Sequence, residues 1–203
     1  MSIYSAIKAL LGTRIRLFGA GIAWDDLRVP TTSARDAGVR PPNFAQFRDD
    51  GSGSNGVYGS EFIDGAEREL FFEAQTPHAR KTGTDLDLHA HFSTKDTVVD
   101  GQTVQFFAEY TAAALFDVFP TTTIATSDFT WDTANPAHVP YAHLLHDIAD
   151  IDGSGLGISS MILVRAGRDG SSDTFGGHVF IFEWDFHIQI DSFGSEAEYA
   201  KNV

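Results

Sequence analysis

The sequence predicts an all-β chain: an antiparallel β-sandwich, jelly-roll-like, with a short N-terminal amphipathic helix and a long Pro/Gly-rich arm. Three observations carry the prediction. Apolar and polar residues alternate in short runs, most clearly in "DLDLHAHFS" (85–93) and "HVFIFEWDFHIQIDSF" (178–193). The runs recur at short intervals with turn residues between them, as the strands of a sandwich, jelly roll or barrel do. The 17 phenylalanines among 203 residues belong to a type that favours pleated, half-buried surfaces and sheet-on-sheet packing.

At the N-terminus, Ile3, Ala6, Ile7, Leu10 and Leu11 fall at i, i+3, i+4, i+7 and i+8, and Gly12 ends the run. That spacing predicts an amphipathic helix, and with it a helical arm over 1–23. Lys8, Arg14 and Arg16 interrupt the apolar run too early for a signal peptide. No segment is long and apolar enough to span a bilayer as a helix, so membrane insertion is not expected.

From Trp24 to Gly56 the chain is rich in Pro, Gly, Ser and Asp, which predicts an extended loop (24–56) leading into a sandwich domain over 24–203. Loops of this length usually exist for contacts. The apolar face of the arm (Ile3, Ile7, Leu10, Leu11) together with Trp24 is the candidate partner-docking surface.

Strands are then expected in "VYGSEFI", "ELFFEAQ", "DLDLHAHFS", "TVQFFAEYT", "TTIATSDFTW" and "ISSMILVRAGR". The last run is the longest. It places Phe180, Phe182, Trp184, Phe186, Ile188 and Ile190 on one parity, towards the core, and Glu183, Asp185, His187, Gln189 and Asp191 on the other. "PYAHLLHDIADI" (140–151) fits a helix or a strand equally and is taken as irregular. Arg165, Arg168 and Asp169 read as a strand end meeting its turn, with the arginines screened at the surface.

Charge narrows the function. Against 28 acidic residues stand 14 Lys and Arg, a formal net charge of -14, with the cations spread along the chain. Such a surface repels a phosphate backbone, so nucleic acid is not an expected partner. The absence of cysteine rules out disulfides, thiolate metal sites and Cys nucleophiles.

His89 and His91 are the candidate metal ligands. At i and i+2 on a strand their side chains point the same way, about 7 Å apart along the chain. Read simply, they are the wet face of that strand. Read as ligands, they need partners, and Asp87, Glu109 and His187 are the candidates within the chain. The run Gly83, His89, His91, Asp96, Gly101 resembles the first cupin motif, with Asp96 where cupins carry Glu; a second cupin motif has no match. A catalytic ion would require three ligands and an open position. Alternatively, three chains around an axis would offer six imidazoles to one structural transition-metal ion. "GSGLG" (153–157) is read as a turn rather than a phosphate loop, and neither Ser154 nor Ser195 lies in a nucleophile elbow.

An ordered set of short motifs carries a family likeness. It comprises Trp24-Asp25-Asp26-Leu27-Arg28, Leu70-Phe71-Phe72, Pro77-His78 with Lys81, and His89-Ala90-His91. It continues with Phe107-Ala108-Glu109-Tyr110, Phe119-Pro120, Ile158-Ser159-Ser160-Met161 and Arg168-Asp169. It ends with Phe186-His187, Asp191-Ser192 and Gly194-Ser195. In this order the set resembles a group of structural proteins from tailed phages and phage-like particles. The resemblance implies a non-enzymatic β-sandwich subunit of a fibre, spike or decoration, located in the virion and assembled in the host cytoplasm. Its implied partners are copies of itself, a trimer foremost, other virion proteins and a host-surface glycan; it implies no catalytic residue. The rival expectations are a cupin-like metalloenzyme and a carbohydrate-binding module, the latter with Tyr58, Trp131 and Tyr141 as candidate platforms.

Overall fold

The computed structural model describes residues 23–195 and 198. The helical arm expected over 1–23, with Ile3, Ile7, Leu10 and Leu11, lies outside the described residues except for Ala23, which opens the first strand.

Among the described residues the chain is all-β. The strands are β1 (Ala23–Pro30), β2 (Asn43–Arg48), β3 (Val57–Phe62), β4 (Glu67–Gln75), β5 (Leu86–Ser93), β6 (Thr103–Ala113), β7 (Thr123–Thr130), β8 (Leu144–Ile151), β9 (Met161–Asp169) and β10 (Val179–Ile190). One sheet has the order β2-β3-β10-β5-β8, and the other β4-β9-β6-β7. All pairings are antiparallel. β10 is long enough to take two partners on one side: Val179–Ile181 pairs with β3, while the stretch from Glu183 to Ile190 pairs with β1.

The inner faces of the two sheets build the core. Leu86, Leu88, Ala90 and Phe92 of β5 and Trp184, Phe186 and Ile188 of β10 meet Phe72, Val104, Phe106, Ile162, Val164 and Ala166 of the facing sheet. The Phe72 and Trp184 rings stack across the gap with centroids 4.9 Å apart, and Phe92 meets Phe106 edge-on at 5.0 Å. Burying a side chain of this size stabilises by about 1.5–3 kcal/mol. The alternation in "DLDLHAHFS" therefore does what its pattern requires.

Three expectations about the strands differ from the structure. First, the region 24–56 is not one loop, because β1 and β2 lie within it. Only Leu27 and Val29 of β1 turn inwards. A strand that contributes so little to the core leaves a weak apolar signature. Second, 140–151 contains a strand. Leu88 pairs with Ala149 and His89 with Asp147, so Ile148 is an extra, bulged residue. The inward residues Leu144, Ile148 and Ile151 thus acquire spacings of four and three, which mimic a helix. Third, the parity of β10 switches at a bulge between Ile181 and Glu183. Val179 and Ile181 join the core, while Phe180 and Phe182 pack against Phe47 on the opposite face.

Arg168 is also placed differently from expectation. It is fully buried rather than screened at the surface, and it pairs with Asp173. The stretch between the 3-10 turn Thr31–Ser33 and β2 runs beside β4. Arg35 and Phe71 exchange backbone hydrogen bonds of 2.8 and 2.7 Å, and the Glu69 N–H donates to the Arg40 carbonyl at 3.0 Å.

Candidate metal centre

With Leu86, Leu88, Ala90 and Phe92 committed to the core, the pleat turns Asp87, His89 and His91 to the outer face of the larger sheet. β10 adds Glu183, Asp185 and His187 beside them, because Asp185 pairs with His89 and His187 with Asp87. β1 contributes Asp26 opposite His187, and β8 contributes Asp147 opposite His89. Strand register alone therefore gathers three histidines and four aspartates on one face.

Side chains sort this group further. The ligand atoms of His89, Asp185 and His187 all lie within 4.8 Å of one another. The His89 and His187 rings have centroids 3.9 Å apart. His89 is 5% exposed and Asp185 2% exposed. Neither ring nitrogen of His89 has a hydrogen-bond partner, nor has Asp185 Oδ1. Asp147 Oδ1 comes within 3.3 Å of His89 Nδ1 without the alignment of a hydrogen bond.

The neighbours are well tied. His91 Nε2 is 3.0 Å from Asp185 Oδ2, and its Nδ1 is 2.8 Å from His143 Nε2. His187 Nε2 lies 3.1 Å from Asp26 Oδ1. Arg28 forms a two-pronged pair with Glu183, at 2.5 and 2.6 Å. Burial, and next the neighbouring His187, push the His89 pKa down against the pull of Asp147, Asp185 and Asp87. Burial, then Asp150, pushes the Asp87 carboxyl up.

The structure thus regroups the expected ligands. His89 belongs to the cluster, His91 serves Asp185 instead, and of the proposed third ligands His187 joins. Asp87 shares the face without joining the trio. Glu109 is on β6 in the other sheet, accepting hydrogen bonds from Thr122 and Arg165. A cupin-like pocket between the sheets is not where these imidazoles sit. Asp185 was missed, although Asp185-Phe186-His187 on the longest strand repeats the same-face spacing of His89-Ala90-His91. Of the other candidates, Trp24 is 52% exposed on β1 and so open to a partner, whereas Trp131 is 1% exposed in the core.

A second feature lies where Phe180 and Phe182 emerge. A cleft of about 460 Å³ is lined by Gln46, Phe47, Arg48, Lys95 and Tyr141 among others. The Arg48 guanidinium stands 4.2 Å over the Tyr141 ring, and Tyr141 has φ +65°.

Fold and site together define an all-β sandwich that carries a histidine–carboxylate cluster on one outer sheet face. No family profile matches the chain, and no curated protein matches it. Among solved structures it is similar to the insecticidal delta-endotoxin Cry8Ea1 from Bacillus thuringiensis (12% identity, TM-score 0.42, 86% of this chain and 25% of that one). It is similar also to dimeric latent PorU from Porphyromonas gingivalis (11%, TM-score 0.34, 85% of this chain and 14% of that one). A third is CBM28, a carbohydrate-binding module specific for non-crystalline cellulose (12%, TM-score 0.32, 66% of this chain and 77% of that one). The chain spans a quarter of the endotoxin's length and less of PorU's. Likenesses at this level do not bear on function.

Proposed function

We propose that this chain is a non-enzymatic structural subunit of a tailed-phage or phage-like particle, a jelly-roll module that works by self-association as a fibre, spike or decoration component. Strand order supports the jelly-roll reading. β3-β10-β5-β8 lies over β4-β9-β6-β7, an arrangement of two interleaved four-stranded sets, and eight-stranded jelly rolls recur in viral capsid and lectin domains and in cupins. Fold leaves function open, so a site must carry it.

The observation that carries the assembly role is the loop joining β6 to β7. Leu115, Val118 and Phe119 are all exposed, Val118 at 91%. Apolar side chains carried outward on one short loop point to contact with another protein surface. A second copy of the chain is the assigned partner, in keeping with the oligomer that the sequence resemblance implies.

Light scattering of the purified full chain tests this. The expected result is a closed oligomer, a trimer foremost, that a Val118→Ser, Phe119→Ser double variant reduces to monomers with an unchanged circular-dichroism spectrum. A wild-type chain that stays monomeric at every concentration would overturn the reading. Carbohydrate binding is the second reading, favoured by the Arg48–Tyr141 cleft, since an aromatic ring beside polar groups suits a sugar face. Glycan-array retention that Tyr141→Ala abolishes would establish it.

A further inference from the structure

We propose that His89, Asp185 and His187 bind one divalent first-row transition ion of the zinc class, per chain, on the outer face of the larger sheet. This goes beyond the assembly role and does not depend on it.

The donors suit such an ion and not a harder one. Two imidazoles and one carboxylate match zinc and its neighbours, whereas calcium and magnesium prefer all-oxygen shells. The spacing is close to what binding needs. Ligand atoms at about 2.0–2.2 Å from a tetrahedral ion stand roughly 3.3–3.6 Å apart, and here they lie within 4.8 Å of one another. Rotation of the side chains closes the difference.

The unsatisfied atoms are the second, independent observation. His89 and Asp185 are each more than nine-tenths buried, yet both His89 ring nitrogens and Asp185 Oδ1 lack hydrogen-bond partners. Buried polar atoms without partners cost about 1–3 kcal/mol each, so a cluster of them needs a reason. An ion satisfies one nitrogen of His89 and Asp185 Oδ1 at once.

The surroundings are arranged as outer-shell support. Asp26 Oδ1 lies 3.1 Å from His187 Nε2, a carboxylate placed to steady that imidazole beside the ion. His91, backed by His143, holds the other oxygen of Asp185. Asp147, 3.3 Å from His89 Nδ1 and largely exposed, stands where a fourth ligand or a bound water would be oriented.

The test is titration of the chelator-stripped full chain with Zn2+ and with Co2+, reading stoichiometry by calorimetry and geometry by the visible bands of Co2+. One ion per chain is expected, with tetrahedral Co2+ bands. His89→Ala and His187→Ala should abolish binding, while His91→Ala should keep the stoichiometry and weaken affinity about tenfold, as outer-shell changes do. No saturable binding at micromolar metal would overturn the proposal. So would one ion per three chains, or loss with His91→Ala while His187→Ala still binds. If an alanine variant proves unfolded by circular dichroism, the near-isosteric Asp185→Asn decides: binding lost in the folded variant supports the site, and binding retained overturns it.

Discussion

Arg168 and Asp173 form a two-pronged ion pair, at 2.7 and 3.1 Å, in which neither side chain reaches solvent. The remaining N–H groups of the guanidinium donate to the carbonyls of Phe62, Gly177 and Phe175. Arg168 therefore joins β9 to the end of β3 and to the segment that leads into β10.

Breaking that pair should be expensive. Asp173→Ala strands a buried cation, and Arg168→Met leaves the Asp173 carboxylate only the Gln105 N–H and takes the guanidinium's donors from three carbonyls, so each should cost about 3–5 kcal/mol in urea unfolding. A double variant, Arg168→Met with Asp173→Leu, should recover only part of the loss. The three carbonyls still lack the guanidinium's donors in it.

His146 predicts a pH response. Unlike the outer histidines it faces inwards, against Phe106 and Phe129, with Nε2 2.9 Å from Ser127 Oγ. Burial is the leading cause that lowers its pKa. The unfolded chain therefore takes up a proton first as pH falls through about 6.5. Stability is full above that value and declines below it, by at most about 1.4 kcal/mol per pH unit from this one group. Urea midpoints of wild type and His146→Gln, compared between pH 7.5 and 5, should converge on acidification.

Arg165 should show its worth through salt. It bonds to Glu67, Glu69 and Glu109, and its removal leaves three carboxylates of β4 and β6 on either side of β9, with only Glu67 still paired, to Arg40. Arg165→Gln should lose about 1–2 kcal/mol at low ionic strength and less in molar NaCl, where repulsion is screened. A loss independent of salt would instead point to packing against Phe107, whose ring lies 4.9 Å from the guanidinium.

Trp24 offers an optical readout of assembly. Trp131 and Trp184 are buried, so acrylamide should quench mainly Trp24. Trp24→Phe should remove most of the quenchable emission and shift the remainder to the blue. If β1 lies at a contact between chains, quenching in the wild type should fall as concentration rises.

Much of the fold was legible because it rests on alternation. The parity of 85–93 places the core residues of β5 and the outward histidines correctly, since nothing interrupts that strand's own pleat. Elsewhere bulges defeat the pattern. One extra residue at Ile148 makes a strand look helical, and the bulge between Ile181 and Glu183 sends Phe180 and Phe182 to the face opposite the one their parity predicts. The histidine–carboxylate cluster was half legible for a related reason. His89 and His187 can be singled out by type and parity, but which neighbours meet depends on β10 lying beside β5 in one register, a long-range pairing that no local spacing encodes.

The strap formed by Arg35 and Arg40 along β4 has a consequence for how copies of the chain can meet. An open strand margin is a template on which a second chain can add its own strand, and repetition of that event yields fibrils. Here the N–H groups of Glu69 and Phe71 are already occupied by the strap. Strand addition is blocked along that margin of the smaller sheet, so a second chain could pair there only by first displacing the strap.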